Sequence, residues 1–595
     1  MNHAPPLLGV GRSLNGRCWR LRACDERAAL AIAQRHDLPE IAGRVLAGRG
    51  VTIDSAESFL RPSLQNDLPD PASLMDMERA AARLADAVMA NEKIAVFGDY
   101  DVDGATSAAL IRRFLAALGV PLIVYIPDRI LEGYGPNAPA LAALAAQGAR
   151  IVITVDCGTL AHQALAAGTA QGLDIIVVDH HQAEARLPDA FAIINPNRLD
   201  DTSGHGQLAA AGVTFLLLVA LNRCLRNAGW YARAGVSEPN LLQWLDLVAL
   251  GTICDVAPLT GVNRVLVRQG LRVMARRLNR GLSALAEAAN IDTEPTTYHA
   301  GFVFGPRINA GGRVGKSDLG ARLLSSDDPD EVRGIAAELD LLNRERQAIE
   351  AMVLEAALRQ AETRNANEPL VLVAGKGWHP GVIGIAASRL KERYNLPALV
   401  IGVDEQGIGK GSGRSINGVD LGRAIIQAGQ AGLLLNGGGH KMAAGLTIEA
   451  AKIEALRDFL IQRLAAEVDA AADAGDLRLD AVLAAGAATP ELLEALALAG
   501  PFGAGNPEPH FAIANASVVN SSIVGGKHVR CVLATGGGQK LSGIAFGCAE
   551  TPLGQALLAG MRSGPLHVAG RLRADQWRGV RRVQLHVEDA ALAAT

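Results

Sequence analysis

Asp99, Asp101 and Asp103 stand two residues apart in Gly98-Asp-Tyr-Asp-Val-Asp-Gly104, directly after the short apolar run Ile94 to Phe97. In extended backbone, residues at that spacing project to one face. Three carboxylates gathered there repel one another and raise each other's pKa. A multivalent cation relieves that repulsion, so the segment reads as a metal site at the end of a strand. An EF-hand calcium loop opens with the same Asp-x-Asp-x-Asp-Gly pattern, but its twelfth position must be Glu, and here it is Leu110. That loop also needs a preceding helix, whereas Ile94 to Phe97 has the pattern of a buried strand. A solvated acidic turn is the plain alternative for this segment taken alone.

Two more segments repeat the arrangement. Ile151 to Val155 runs into Asp156-Cys157-Gly158, and Asp174 to Val178 runs into Asp179-His180-His181. A fourth segment, Gly251 to Asp255, comes after the helical stretch Leu241 to Leu250 and supplies Asp255. Apolar runs alternating with alanine-rich helical stretches predict parallel strands, whose ligands gather at the strands' carboxyl ends. Asp99, Asp101, Asp103, Asp156, Asp179, His180 and His181 then converge on one edge. The donors are oxygen with some imidazole and no thiolate, which suits Mg²⁺ or Mn²⁺, with imidazole favouring Mn²⁺. They are too many for one ion. A pair of ions ~3.5–4 Å apart, as in phosphoester hydrolases, would use them. A single His on an apolar strand is commonly a core residue; the adjacent pair His180-His181 argues against that here.

These motifs resemble the DHH phosphoesterase superfamily, and the longer pattern Gly98 to Ser107 resembles its RecJ branch. The likeness continues through Ile126-Pro-Asp-Arg129, Glu132-Gly-Tyr-Gly135, Gly305 to Arg313, His379 to Gly384, Ser412-Gly-Arg-Ser415, Gly437 to Gly445 and Gly500 to Pro509. It implies a metal-dependent exonuclease that degrades single-stranded DNA from the 5′ end to mononucleotides in DNA repair and recombination. It implies Asp99, Asp101, Asp103, Asp156, His180 and Asp255 as ligands of two divalent ions, Mn²⁺ or Mg²⁺, with Asp156 as the bridge. His181 would contact the scissile phosphate, and Asp179 would orient a histidine ligand. Arg129, Ser412 and Arg414 map to a pocket for the 5′-phosphate, with Ser415 beside them. Arg307, Asn309, Arg313, His379 and His440 would line the cleft facing the ions, with Gly438 and Gly439 also among the substrate-binding residues. Partners implied are single-stranded DNA, a single-strand-binding protein and a helicase. Two other readings remain: a phosphodiesterase for short oligonucleotides or signalling dinucleotides, and a catalytically inactive DNA-binding scaffold.

Composition sets the outer limits. At 595 residues the chain is too long for one core. A hydrophobic content of 49% excludes a disordered chain. The seven cysteines are scattered, with no CxxC pair, so neither a disulfide framework nor a zinc ribbon is expected. A reduced cytoplasm is the natural setting, and the N-terminus carries no signal-peptide pattern. The longest apolar run, Leu208 to Leu221, is too short to span a bilayer of ~30 Å and predicts a buried helix. Net charge is −4, which leaves local basic grooves rather than a wholly basic surface to meet nucleic acid. Nothing suggests a coiled-coil dimer, and a monomer is expected.

Bringing these residues together takes several domains. The expected fold is α/β: an N-terminal segment over 1–70, a parallel-sheet DHH domain over 71–326, a connecting helix over 327–365, a DHHA1-like α/β domain over 366–475 and an OB-like C-terminal β-barrel over 476–595. Asp327 and Pro329 suit the start of a helix running to Thr363, ~54 Å long; two shorter helices broken near Asn343 are the alternative. Leu370 to Ala374 and Ala398 to Gly402 predict strands. Gly381 to Leu390 predicts a helix whose start at His379-Pro380 offers backbone N–H groups to a phosphate. Gly411 to Ser415 and Asn436 to Lys441 read as glycine loops, either anion-binding nests or plain turns. Short alternating strands after 511, with Arg571, Arg573, Arg578, Arg581, Arg582 and Trp577 on or near two of them, suit a barrel that tracks single strands or a solvated basic hairpin.

Overall fold

The computed structural model describes residues 5–129, 131–365, 367–471, 476–536, 538–577 and 580–593. Two compact units are present. One comprises Pro69–Ala257 and Leu266–Ala474; the other comprises Met1–Leu68, Pro258–Val265 and Gly475–Thr595.

The larger unit carries two sheets. In the first, β1 (Ile94–Gly98), β2 (Leu122–Tyr125), β3 (Ile151–Val155), β4 (Asp174–Val178) and β5 (Ala192–Ile194) pair in the order β2-β1-β3-β4-β5. Every pairing is parallel. β1 and β3 are buried along their whole length, which is why they read as unbroken apolar runs rather than alternating ones. Helix α1 (Val102–Ala117) comes after β1, and α2 (Ala210–Asn227) carries the buried run expected at Leu208 to Leu221. α3 (Leu245–Cys254) packs on both α1 and α2.

The connecting helix is continuous. α4 (Pro329–Glu362) has 34 residues and no break at Asn343. Its N-cap is Asp328, one residue later than expected, accepting from the N–H groups of Asp330 and Glu331, with Pro329 at N1. Its last turns bury Val353, Ala357 and Ala361 against Val371, Val373, Val382 and Val400 of the second sheet and its helix.

That second sheet has strands β6 (Val371–Lys376), β7 (Ala398–Val403), β8 (Ile408–Arg414), β9 (Asn436–His440) and β10 (Ala443–Glu449), in the order β9-β10-β8-β7-β6. Helix α5 (Pro380–Tyr394) crosses between β6 and β7. The two glycine-rich segments are therefore strands, not loops. β8 pairs antiparallel with β7 and β10, and β9 pairs with β10. Both neighbours of β8 are strands, whereas β9 is an edge strand paired only with β10. Glycine serves close packing instead: a Cβ at Gly411 would lie 2.7 Å from Leu446 Cδ1.

The smaller unit is a barrel. Strands Phe511–Val524, His528–Ala534, Lys540–Ala545, Val580–Leu592 and Leu566–Trp577 succeed one another around the sheet, and Phe511–Val524 closes it onto Leu566–Trp577. The N-terminal segment is part of this unit. Ile32, Val45 and Leu46 share a core with Phe511, Ile513 and Val568, and the Trp19 indole N–H donates to Asp589 at 3.0 Å. Arg264, on the short excursion Pro258–Val265, lies over the Phe59 ring and donates to the carbonyls of Phe59, Ala499 and Leu498.

Candidate metal centre and nucleic-acid site

The aspartates of the first motif do not share an extended strand. Asp99 is the first residue past β1. Asp101 is the N-cap of α1, its carboxylate accepting from the N–H groups of Asp103 and Gly104 at 2.9 and 3.1 Å. Asp103 lies in the first helical turn. The strand ends, the chain turns within Tyr100, and the helix begins, so convergence comes from a strand-to-helix turn rather than from a pleat. Gly104 makes the turn possible: a Cβ there would stand 2.4 Å from the Asp99 carbonyl oxygen.

Asp156 comes directly after β3 with φ of 61°, a left-handed conformation that Asp adopts more readily than most side chains and that clusters at functional sites. Asp179, His180 and His181 stand at the end of β4. Asp255 is not at a strand end; α3 runs through Cys254 and Asp255 is its C-cap. Three sets of ligand atoms come within 4.8 Å of one another: Asp99, Asp101 and Asp156; Asp156, His180 and His181; Asp103, His180 and Asp255. His180 Nε2 is 3.2 Å from Asp156 and 3.9 Å from Asp103, and its Nδ1 is 3.8 Å from Asp255. Asp156 and His180 each belong to two of these sets.

The electrostatics point the same way. Burial, then the charge on Asp101, pushes Asp99 up to about 8 and Asp255 up to about 7. Asp103 and Asp156 are also raised, by burial first and then by neighbouring carboxylates. Burial and the neighbouring His181 lower His180 to about 4, leaving the neutral imidazole that a metal requires. Asp99 Oδ1 and His180 Nε2 are buried without a hydrogen-bond partner. Orphaned donor atoms on crowded carboxylates and a neutral imidazole fit a divalent cation. Asp103 is further held by the N-terminus of α2, accepting from the N–H groups of Ala210 and Ala211 at 2.7 and 2.9 Å.

Asp179 holds His181 rather than His180. Its Oδ1 lies 2.7 Å from His181 Nδ1, and it accepts from the N–H groups of Thr159, His180 and His181. Burial opposes a charged imidazole, but the Asp179 hydrogen bond and the fields of Asp179, Asp255 and Asp99 outweigh it and lift His181 to about 9.

Several positioning residues lie outside the expected set. Asn195 donates to the Thr159 hydroxyl and the His181 carbonyl, and Asn197 donates to the His180 carbonyl. Both lie just past β5, so the strand-end rule that flagged the aspartates would have flagged them. The Tyr134 hydroxyl donates to the Asp156 carbonyl at 3.0 Å and lies 3.3 Å from His181 Nδ1. Tyr100 lies under the Arg129 guanidinium, 4.9 Å from its ring centroid.

Through Tyr100 the carboxylate cluster adjoins a cavity of about 500 Å³, lined by Arg129, Arg313, Ser412, Arg414, Lys410 and the start of α5, with no carboxylate in its lining. Burial, then Arg129, lowers Arg414; burial, then Arg129, Arg346 and Arg414, lowers Arg313 to about 10. Crowded guanidiniums with no carboxylate among the described residues lining the cavity make a site for an anion. Lys410, Ser412 and Arg414 alternate along β8 and so share a face.

The other expected substrate residues are placed differently. Ser415 is buried, its hydroxyl donating to the Val419 carbonyl at 2.8 Å. His379 caps α5, its Nδ1 accepting from the Gly381 N–H at 3.0 Å. Arg307 donates to Asp340 at 3.0 Å and to the Val303 carbonyl. Asn309 is half-buried, four residues before Arg313 on the same helix. Gly439 and His440 line a separate cavity with Arg423 and Lys441, and Gly438 sits beside them on β9. In the barrel, Arg571 pairs with Glu508 and Glu588, and Arg573 pairs with Glu508, so two of the expected DNA-facing cations are already neutralised. Arg582 is exposed. Arg578 and the side chains of Trp577 and Arg581 lie outside the described residues.

The chain is similar to known proteins along nearly its whole length. Residues 93–252 match the DHH family N-terminal domain, 367–466 the DHHA1 domain and 479–589 the RecJ OB domain. The chain is 37% identical to the single-stranded-DNA-specific exonuclease RecJ of Salmonella typhimurium, over 96% of this chain and 99% of that one. It is 36% identical to the Escherichia coli protein of the same name, over 96% and 98%. The crystal structure of RecJ in complex with Mn²⁺ from Thermus thermophilus superposes with a TM-score of 0.78 at 31% identity, covering 96% of this chain and 79% of that one. With all three domains in order and near full-length likeness on both sides, the chain belongs to the RecJ family.

Proposed function

We propose that this protein is a metal-dependent exonuclease that degrades single-stranded DNA from the 5′ end to mononucleotides by phosphodiester hydrolysis. One observation carries the reading: a cluster of Asp and His with orphaned donor atoms adjoins, through Tyr100, an arginine-lined cavity free of carboxylates. Asp99, Asp101, Asp103, Asp156, His180 and Asp255 would hold two divalent ions, with Asp156 between them. Such ions supply a deprotonated water and neutralise charge on the phosphate. His181, kept charged by Asp179, donates to an oxygen of the scissile phosphate. Arg129, Arg313, Ser412 and Arg414 take the terminal phosphate. An anion site beside the carboxylates limits the cut to a residue at the end of the strand, which makes the activity exonucleolytic.

DNA repair and recombination, a cytoplasmic setting, action as a monomer, and work beside a single-strand-binding protein and a helicase belong to the same reading and rest on the family likeness. Among the described residues, no helix is long and apolar enough to cross a membrane.

The test is a time course with Mn²⁺ on a 3′-labelled, 5′-phosphorylated single strand. Progressively shortened labelled fragments are expected. Asp156→Ala should lower the rate by roughly 10²–10³-fold or more, the scale of losing a preorganised charge at a reaction centre. Intact long strands beside hydrolysed dinucleotides would overturn the proposal in favour of a short-oligonucleotide phosphodiesterase.

A further inference from the structure

Among the described residues, only four Phe, Tyr or Trp side chains stand exposed: Tyr134, Tyr298, Phe302 and Phe546. Tyr134 is accounted for by His181 and Asp156. Tyr298 and Phe302 form a unit of their own. Their rings stack at 5.4 Å with an interplanar angle of 22°, and His299 meets Tyr298 edge-on at 5.8 Å. Tyr298 is 62% and Phe302 73% exposed. Leaving two large aromatic faces in water forfeits the burial that ordinarily places such side chains in a core.

The local backbone is unusual as well. His299–Phe304 is a π-helix that runs directly into the α-helix Gly305–Val314. Single π turns inside helices occur frequently at functional sites. With i→i+5 bonding the turn holds more than four residues, so Tyr298 and Phe302 lie nearly one above the other.

The position is informative. Cys254 Sγ contacts the Ala300 carbonyl at 3.4 Å, and a Cβ at Gly301 would lie 3.3 Å from Ile253. The aromatic pair therefore rides on the segment packed against the end of α3, whose next residue is Asp255. Val256, directly after Asp255, is 69% exposed with φ of 60°. The same helix carries Arg313 of the anion cavity at its other end.

We infer that Tyr298 and Phe302 form a stacking ledge for the bases of the single-stranded substrate, holding nucleotides beyond the scissile bond on the side of the carboxylate cluster away from the anion cavity. The inference rests on the nuclease reading above. Bases present a π-face whatever their sequence, so aromatic platforms bind single strands without reading them. The phosphate cavity alone grips one end of the strand; the ledge supplies a second hold while each residue is removed.

The test uses the full chain with Mn²⁺ and two 20-nucleotide, 5′-phosphorylated strands. One is intact; the other lacks bases at positions 3 to 6. Wild type is compared with Tyr298→Ala/Phe302→Ala and with Tyr298→Phe/Phe302→Tyr. On the intact strand the alanine pair should raise KM about 5- to 100-fold, the scale of losing one stacked base, with kcat nearly unchanged. The aromatic swap should restore KM. On the abasic strand, wild type and the alanine pair should converge. An equal KM rise on both strands would overturn the ledge, because the loss would then not involve bases. So would an unchanged KM on the intact strand. If the alanine pair fails to fold, Tyr298→Leu/Phe302→Leu keeps the apolar volume without the π-face and makes the same comparison. A wild type that leaves single strands intact would overturn the nuclease reading itself, before any variant is compared.

Discussion

At the scale of single residues, the carboxylate cluster is costly to keep without cations. Asp99 and Asp255 titrate near 8 and 7, and Asp103 and Asp156 are raised too, chiefly by burial. In the unfolded chain these groups titrate near ~3.9. Between those values the folded protein binds more protons than the unfolded one, so stability falls as pH rises through the window from ~4 to ~8. Bound cations hold the carboxylates ionised and remove the penalty. Melting with EDTA and with Mn²⁺ at pH 6, 7 and 8 should therefore give a gap in Tm that widens with pH. A gap that stays constant would show that the cluster is not the metal centre. Residue types made this site legible in the sequence, because carboxylates and paired histidines at strand ends have few structural uses. The partners that aim them were less legible. Tyr134 and Tyr100 act through a hydrogen bond and a ring contact that no spacing rule encodes, whereas Asn195 and Asn197 stand just past a strand end and were within reach of the same rule.

At the scale of elements, the sequence pattern locates the strands of the first sheet well, since buried parallel strands are unbroken apolar runs. It misjudges the turns at their ends. The alternating spacing puts Asp101 and Asp103 on extended backbone, yet Asp101 caps α1, a role Asp fills commonly. The glycine-rich runs at 408–414 and 436–440 carry turn-like composition, but interstrand packing overrides it. Gly104 shows why composition misleads. Glycine in a helix costs ~1 kcal/mol relative to alanine, so propensity favours Gly104→Ala. Geometry opposes it, since the new Cβ would stand 2.4 Å from the Asp99 carbonyl oxygen and 2.7 Å from the Asp99 nitrogen. The strand-to-helix turn would have to open, displacing Asp99 from Asp101. Gly104→Ala should destabilise the protein by about 1–3 kcal/mol, the usual range for overpacking, and weaken Mn²⁺ binding. Thermal melts and calorimetric titration read the two effects. A variant as stable as wild type, with unchanged Mn²⁺ affinity, would show that the close approach does not hold the turn.

At the scale of the molecule, α4 ties the parallel sheet to the mixed one, and the anion cavity draws on both. Arg129 lies past the end of β2, Arg313 ends the helix Gly305–Val314, and Ser412 and Arg414 come from β8. No local window of sequence contains this cavity, and family likeness alone grouped Arg129, Ser412 and Arg414. The long helix was legible from its cap and periodicity. The union of residues 1–68 with the barrel was not, because it rests on long-range packing of Trp19, Ile32 and Leu46. A cavity that recognises the end of a strand must distinguish ends. Wild type should process 5′-phosphorylated single strands with a lower KM than 5′-hydroxyl strands. Arg414→Ala should reduce that preference about 10- to 100-fold, the scale of a charge-assisted hydrogen bond. Arg414→Lys should recover only part of it, because lysine keeps the charge but not the planar fork. Because Arg414 belongs to the second sheet and the carboxylates to the first, kcat on 5′-hydroxyl strands should change little. If Arg414→Ala instead lowered kcat equally on both substrates, the cavity would be organising the carboxylate cluster rather than reading the strand end.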